Sequence, residues 1–409
     1  MITVKPFAAF RPKKEYAQEC AALPYDVMSS EEAREEVKGK PYSFLHVDKA
    51  EIDLDTSVDL YADEVYAKAK ENLCRLERDG IYETEKEKTF YLYRLVMDGR
   101  AQTGIVGCAS IDDYLENRIK KHELTRADKE ADRCRHVDTC SAQTGPIFLA
   151  YKENATLDTL LATETQKQPL YDFYSDDGVR HTVWRCDTTL CETIEQAFEK
   201  TEALYIADGH HRAASAVKAG QKRRANGYNG TEEFNYFLSV IFPARDLKIF
   251  DYNRLLYDLN GLDEDEFLKA VEKRLGSVTK KAGVYKPESR HTVGLYVKGN
   301  WYEVALKEEI CNAASPAKRL DCAILQNEFL SPVLGIADPR TDKRIDFVGG
   351  IRGLTYLEKR CNEDAKAAFA MYPTAMSELT DIADAGEIMP PKSTWFEPKL
   401  RSGIFIHKI

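Results

Sequence analysis

Apolar positions recur along the chain with two different periods. Helical spacing predicts an amphipathic helix over 58–78, which Asp79-Gly80 ends. Alternation over 90–96 and 102–110 predicts two strands joined by the hairpin signal Asp98-Gly99. The same patterns predict the following further elements: strands at 147–151, 179–186 and 234–242, helices at 111–136, 263–275, 316–330 and 354–362, and a strand pair or small sheet over 278–306 with its turn at Lys298-Gly299-Asn300. Strands that alternate with helices indicate an α/β or α+β core.

The segment 204–213 combines an abrupt change of pattern with unusual chemistry. A short apolar strand ends at Asp208-Gly209, and His210-His211-Arg212 opens an alanine-rich helix. Free N–H groups at a helix N-terminus, together with the partial positive charge there, favour an anion. We therefore predict a phosphate site made by Gly209, His210, His211 and Arg212. Asp208 beside it would bind Mg²⁺ or take a proton from a hydroxyl group.

Two alternative interpretations of this segment do not involve phosphate. Asp208 would then cap the helix, and the two histidines would be ordinary surface residues. A zinc site made by His210 and His211 is weaker, because neighbouring side chains at the start of a helix diverge.

Composition narrows the classes of function. The chain of 409 residues has 58 basic and 68 acidic residues, a net charge of −10, which disfavours a protein that coats nucleic acid. No apolar run reaches the ~18 residues of a membrane span, and no secretory signal opens the sequence. The ten cysteines include no Cys-x-x-Cys pair and are expected to be reduced thiols in the cytoplasm.

Cations are nevertheless concentrated in one stretch, from Lys120 to His136. Its members Lys120, Lys121, His122 and Arg126 are predicted to contact donor phosphates, because phosphoryl transfer needs charge neutralisation. The alternative is a solvated helix with salt bridges, which is what charge runs usually form.

A stiff loop near the C-terminus is the third candidate. Pro390-Pro391 fixes the backbone before Lys392, Ser393 and Thr394. We predict a phosphate contact for Lys392 and substrate contacts for Ser393 and Thr394. An arginine suits a substrate carboxylate, and Arg352, in a glycine-rich loop, is preferred over Arg11 and Arg254.

Several blocks carry a resemblance to known proteins. The turn Asp208–Arg212 and its alanine-rich helix resemble the signature of the ParB/sulfiredoxin-like fold. The further blocks resemble a prokaryotic family labelled as a domain of unknown function, over nearly the whole chain; they are Leu-Pro-Tyr-Asp-Val at 23–27, Tyr-Ser-Phe-Leu-His-Val at 42–47, Lys-Lys-His-Glu-Leu-Thr-Arg at 120–126, Gly-Pro-Ile-Phe at 145–148 and 390–399. The expected fold is thus a ParB/sulfiredoxin-like α/β core with helical and small-sheet elaborations. We expect domains at 1–261 and 262–409, the final loop returning to the active site.

The resemblance also implies an activity. Relatives with this fold include kinases that phosphorylate free L-serine with ADP, ATP or pyrophosphate, so we expect a serine kinase that uses Mg²⁺. In such kinases the acidic residue before Gly-His is catalytic, which is Asp208 here, together with an N-terminal glutamate. No glutamate matches cleanly; Glu31 and Glu123 are chosen, and Glu32 and Asp26 stay open.

Rival functions follow from the same fold. A non-catalytic nucleotide-binding regulator of the ParB-like class is the main alternative, and a plain anion-binding module is another. A sulfiredoxin-like thiol enzyme is excluded, because its cysteine position is occupied by His210. No nucleic acid or membrane partner is expected, and a homodimer is among the assemblies we allow for.

Overall fold

The computed structural model describes all 409 residues and divides into two compact units. Unit 1 comprises Met1–Lys121, Thr125–Leu247 and Pro398–Ile409. Unit 2 comprises His122–Leu124 and Lys248–Glu397. The sequence placed the domain boundary at 261. In the structure the chain passes from unit 1 to unit 2 after Leu247, and the strand at 252–256 pairs with unit 2 strands.

Unit 1 contains nine helices and thirteen strands. Its helices are α1 Ala17–Cys20, α2 Ser30–Glu36, α3 Leu45–Asp48, α4 Asp63–Arg78, α5 Ile111–Leu115, α6 Ala127–Cys140, α7 Ala155–Glu164, α8 Cys191–Glu199 and α9 His210–Arg224. Its strands are β1 Val4–Lys5, β2 Phe10–Pro12, β3 Tyr82–Thr84, β4 Tyr91–Met97, β5 Arg100–Ser110, β6 Ile119–Lys120, β7 Ala142–Gln143, β8 Ile147–Tyr151, β9 Tyr171–Tyr174, β10 Arg180–Arg185, β11 Leu204–Asp208, β12 Tyr236–Pro243 and β21 His407–Lys408.

Unit 2 contains the remaining elements. Its strands are β13 Ile249–Phe250, β14 Tyr252–Leu256, β15 Gly276–Lys280, β16 Thr292–Val297, β17 Asn300–Leu306, β18 Ile345–Gly349, β19 Ala367–Ala370 and β20 Trp395–Phe396. Its helices are α10 Glu264–Arg274, α11 Glu308–Cys311, α12 Asp321–Leu325, α13 Ser331–Leu334, α14 Leu354–Glu363 and α15 Met376–Asp384. A π-helical turn, Gln326–Leu330, joins α12 to α13.

A mixed sheet organises unit 1. Its strand order is β6-β11-β8-β12-β5-β4-β10-β9, and β1 pairs with β5. The pairs β11–β6 and β12–β8 are parallel and the others are antiparallel. Strand β8 is buried along its whole length, as expected for its apolar run. Strand β11 lies between β6 and β8 in this sheet, and α9 begins two residues after β11 ends.

Helix α9 packs closely because its buried face is small. That face includes Ala213, Ser215 and Ala216, and the Ser215 hydroxyl donates to the Glu130 carbonyl in α6 at 3.1 Å. A Cβ at Gly220 would lie 2.5 Å from the Phe234 carbonyl oxygen, so only glycine fits there. The small side chains of α9 thus allow the helix to lie close to its neighbours.

The helix predicted over 111–136 is wrong. The structure instead has α5, a turn at Asn117 with φ of 58°, strand β6 and then α6. Strand β6 forms because Ile119 is fully buried and pairs in register with Leu204 of β11. Helical spacing over 111–136 would have placed His122, Arg126, Lys129 and Arg133 on one face. Because α6 begins only after Arg126, it contains Lys129 and Arg133 but neither His122 nor Arg126.

Unit 2 is built on an antiparallel six-stranded sheet with the order β15-β17-β16-β19-β14-β18. The hairpin β16–β17 turns at Lys298-Gly299, both with positive φ, as the sequence predicted. Helix α10 begins with a capping box between Asp263 and Glu266. The mixed α/β class is confirmed. No helix of the chain combines the length and apolar character that a membrane crossing requires.

Candidate anion site at the start of helix α9

The segment Asp208–Arg212 is a strand end, a glycine turn and the first turn of a helix. Gly209 has φ of 89°, a conformation that glycine adopts without strain. Its N–H donates to Oδ1 of Asp208 at 2.9 Å. The fifteen residues of α9 follow directly, so their aligned peptide dipoles place partial positive charge at this turn.

Arg212 lies with its guanidinium between two glycines. Its Nη1 donates to the Pro146 carbonyl at 2.6 Å. A Cβ would lie 3.1 Å from Nε if built on Gly209 and 3.6 Å from Nη1 if built on Gly145. The side chain is only 10% exposed, yet Nε and Nη2 have no hydrogen-bond partner. Buried donors of this kind are costly unless a ligand accepts from them.

Asp208 is ionised by its surroundings. Burial would raise the pKa of its carboxyl, but the charges of Lys399 and Arg212 and the Gly209 N–H lower it to about 2. Lys399 Nζ lies 3.4 Å and Arg212 Nη2 3.6 Å from Oδ2. The carboxylate therefore stays charged at neutral pH inside a cationic group of side chains.

The two histidines of the turn differ in environment. His210 is 6% exposed, and burial lowers its pKa to about 4 although Asp208 opposes this shift. Burial also lowers the pKa of His211, again against nearby carboxylates. His211 Nε2 accepts from the Arg126 backbone N–H at 3.1 Å, so neutral His211 carries its proton on Nδ1. Both rings are neutral at pH 7.

A cavity adjoins Arg212 within unit 1. Its empty volume is about 430 Å³, including the part open to solvent. Arg133 lines it and is held by Asp132, with its guanidinium 4.3 Å from the Tyr25 ring centroid. The remaining lining residues are Asp48, His136, Val137, Gln143, Thr144, Gly145, Ile147, Ser215 and Ala216. Two arginines and one aspartate thus line one space, and each arginine also has a carboxylate beside it.

The other residues predicted for unit 1 lie around this turn to different degrees. Lys120 lies in β6, in register with Tyr205 of β11. The charge of Lys121 helps to lower the pKa of His210. The Arg126 side chain is exposed and pairs with Asp128 at 2.7 Å. Glu31 lies on an exposed acidic face of α2.

The remaining predicted residues belong to unit 2. His122 and Glu123 lie there, and the His122 carbonyl accepts from Met389 N–H at 2.8 Å. Ser393 is buried, and Lys392 is exposed with φ of 58°. Thr394 is half-buried, and Arg352 is exposed with its guanidinium 5.1 Å from the Tyr356 ring. Their predicted roles stay predictions.

Sequence reasoning missed Lys399 and assigned no definite role to two further residues of the site. Lys399 contacts Asp208, although the preferred lysine of that block was Lys392. Arg133 lies in the predicted cationic run but was not singled out. Asp26 acts electrostatically on His211 and Arg212, although the sequence left it as one option among several. The Pro-Tyr-Asp-Val block was the available signal for Asp26.

The turn offers few protein ligands to Mg²⁺. The chain has no cluster of three or more His, Cys, Asp or Glu side chains placed to hold a metal ion. Asp208 offers one carboxylate, already flanked by two cations. Mg²⁺ needs six oxygen ligands but is often held by one carboxylate plus phosphates and water. Magnesium therefore stays a prediction that would depend on the donor's phosphates.

A family model matches the chain over residues 4–323 and is described as "Protein of unknown function (DUF1015)". The chain belongs to this family. The match covers the Asp208–Arg212 turn and α9 but ends before Lys399. No curated protein matches the chain.

Several solved structures are similar at low identity. A free serine kinase in complex with AMP is 14% identical, with coverage of 71% of this chain and 90% of that chain and a TM-score of 0.35. SbnI with a C-terminal truncation from Staphylococcus aureus is 10% identical, with coverage of 73% and 85% and a TM-score of 0.40. A conserved hypothetical protein from Pyrococcus furiosus is 15% identical, with coverage of 73% and 93% and a TM-score of 0.36. These values are too low to assign a function.

Proposed function

We propose that the protein is a phosphotransferase that transfers a phosphoryl group to the hydroxyl of free L-serine, with pyrophosphate, ATP or ADP as donor. The observation that carries the proposal is Arg212, a buried guanidinium whose Nε and Nη2 lack hydrogen-bond partners at the first turn of α9. The choice of serine rests on the family resemblance of the sequence, and so does the ParB/sulfiredoxin-like identity of the core.

The anion site supports phosphate as the bound group. Phosphoryl transfer depends mainly on positioning and on neutralising charge spread over phosphate oxygens. Arg212 offers two donors in one plane, a geometry that suits two oxygens of one phosphate. The helix N-terminus and the neutral histidines add donors without adding fixed charge.

Asp208 supports transfer rather than binding alone. A carboxylate beside an anion site weakens binding by repulsion, which a pure binding module would avoid. In a phosphotransferase it has a use, because it can accept the proton of the attacking hydroxyl. The serine oxygen then bonds to the terminal phosphorus of the donor, the bond from that phosphorus to its bridging oxygen breaks, and the proton moves to Asp208.

The experiment incubates the full chain with L-serine and one donor at a time, with and without Mg²⁺, and follows O-phosphoserine by ³¹P NMR. We expect product with at least one donor. L-alanine, which lacks the hydroxyl, is the matched acceptor control. Binding of a donor without product from any of them would favour the nucleotide-binding regulator instead.

A further inference from the structure

Besides Arg212, whose side chain is 10% exposed and lies 3.6 Å from the Asp208 carboxylate, three arginines of the chain are buried, namely Arg11, Arg254 and Arg401. Arg11 pairs with Glu85 at 2.6 Å, and Arg401 pairs with Asp177. Arg254, in β14 of unit 2, is 4% exposed and has no carboxylate partner. It is therefore the one buried arginine whose charge is left uncompensated by the protein.

The neighbours of Arg254 are neutral groups. It donates to the Tyr252 and Lys392 carbonyls, and its guanidinium lies 5.3 Å from the Phe347 ring centroid. These two hydrogen bonds use two of the five N–H donors of a guanidinium. Burial of a charged side chain with no anion in contact is unfavourable, because the lost hydration is not replaced by an opposite charge. Burial also lowers the pKa of Arg254, which reflects the same cost.

Arg254 lines a cavity inside unit 2. The cavity is narrow: its enclosed part measures about 10 Å³, within an empty volume of about 310 Å³ that includes the part open to solvent. Ser393 and Cys322 line it within 3.1 Å of each other. The other lining residues are Tyr252, Arg290, Leu320, Asp321, Met371, Tyr372, Pro373, Thr374 and Glu378.

The acidic groups of this cavity are engaged elsewhere. Asp321 accepts from the His291 backbone N–H at 2.9 Å and from its ring at 3.0 Å. Glu378 pairs with Arg290 at 2.8 Å. Neither forms an ion pair with Arg254, so that guanidinium lines the cavity without a carboxylate in contact.

The backbone beside the cavity is irregular as well. Helix α12 supplies Asp321 and Cys322 and runs directly into the π-helical turn Gln326–Leu330. Such turns are rare and occur frequently at functional sites. The turn itself does not line the cavity; it follows the helix that supplies Asp321 and Cys322 to the lining.

We propose that this cavity is a binding site for a small carboxylate, whose oxygens accept hydrogen bonds from Arg254 beside Ser393. A planar guanidinium and a carboxylate match in shape and charge. A monoanionic carboxylate balances one buried arginine, whereas a phosphate dianion would leave an excess negative charge. The site does not depend on the proposed phosphotransferase activity.

The test measures binding to the full chain by titration calorimetry, with sodium acetate, L-serine and inorganic phosphate as separate probes. Arg254→Met removes the charge but keeps much of the volume, and Arg340→Met, at an exposed arginine of unit 2, is the matched control. We expect acetate affinity to fall at least about tenfold in Arg254→Met and to change less than about twofold in Arg340→Met.

A second variant guards against a folding defect. Ser393→Val keeps Arg254 and fills the cavity, and we expect it to weaken acetate binding by a similar factor, with circular dichroism as the check on folding. Acetate binding that survives both variants overturns the site, as does the absence of heat with both carboxylates. Binding of phosphate alone, lost in Arg254→Met, overturns the carboxylate assignment. The test measures binding and not turnover. A negative result in the kinase assay would therefore not change how these binding outcomes are interpreted.

Discussion

Lys399 places its ammonium 3.4 Å from Oδ2 of Asp208, although 191 positions separate the two residues. The contact lies inside unit 1, because Pro398–Ile409 returns to that unit and β21 pairs with β7. Together with Arg212, Lys399 holds the pKa of the Asp208 carboxyl at about 2 against the effect of burial. The final segment of the chain thus sets the charge state of the candidate catalytic group.

Lys399→Met tests this electrostatic role. Loss of the ammonium leaves burial less opposed, so the pKa of Asp208 should rise. The acid limb of the rate of O-phosphoserine formation should then move up by about one pH unit or more. Lys167→Met, at an exposed lysine of the same unit, should leave the profile unchanged. An unshifted acid limb in Lys399→Met would separate Lys399 from the charge state of Asp208.

Asp208→Asn tests the proton acceptor. The amide keeps the size of the side chain but cannot take the hydroxyl proton, so turnover should fall by about 100-fold or more. Donor binding should persist or strengthen, since repulsion of the phosphates is removed. Asp172→Asn, at an exposed aspartate, is the control for the effect of charge loss. A rate that stays within twofold of wild type, measured by ³¹P NMR, would remove Asp208 from the chemistry.

The sequence predicted local elements well where one pattern dominates. Strand β8 has the predicted bounds, and the turn from β11 into α9 follows from Asp208-Gly209. The helix over 111–136 failed because the pairing of Ile119 with Leu204 is a long-range contact that overrides local helical spacing. The many charged residues of that stretch indicated a helix exposed to solvent and gave no sign of a strand within the sheet.

The site was predicted only where its residues are contiguous. Asp208 and Arg212 are neighbours in sequence, so their proximity follows from one turn. Lys399 joins them through the fold of the last segment, which no spacing rule reveals. Arg254 was one of three candidates for a carboxylate partner, and Arg352 was preferred to it, because the absence of an acidic neighbour is visible only after packing.

Arg212→Gln tests the phosphate contact. Glutamine keeps a donor but loses the charge and the paired geometry of the guanidinium. The affinity for pyrophosphate, measured by titration calorimetry in buffer free of phosphate, should fall by about 10-fold to 100-fold. Arg180→Gln, at an exposed arginine paired with Asp172, should bind as wild type does. Equal affinity in the two variants would place the donor elsewhere.

Gly209→Ala tests the turn itself. The substitution strains a residue with φ of 89° and places a Cβ 3.1 Å from Nε of Arg212. We expect a loss of about 1–3 kcal/mol in the free energy of unfolding, together with weaker pyrophosphate binding. Gly178→Ala is the matched control, because φ is 79° there and no atom lies within 4 Å of the added Cβ. It should share the strain but keep the affinity; a parallel loss of binding in both variants would contradict a specific contact with Arg212.

His210 predicts how stability depends on pH. Burial lowers the pKa of His210 to about 4, from 6.5 in the unfolded chain. The neutral ring is therefore favoured in the fold, and its stabilising effect is complete above pH 6.5. As the pH falls from 6.5 to 4, the His210 ring takes up a proton in the unfolded chain but stays largely neutral in the folded chain. This process should remove about 3 kcal/mol of stability.

The measurement compares urea unfolding at pH 7 and pH 4 for wild type and His210→Gln. The loss of unfolding free energy between the two pH values should be smaller in the variant by about 3 kcal/mol. Asp208 does not interfere, because its lowered pKa removes stability only as the pH falls from 3.8 to about 2. The buried His181, with a pKa lowered to about 3, acts equally in both proteins and cancels. Equal losses in both would mean that protonated His210 is accommodated in the fold, and the neutral donor at the phosphate turn would have to be His211.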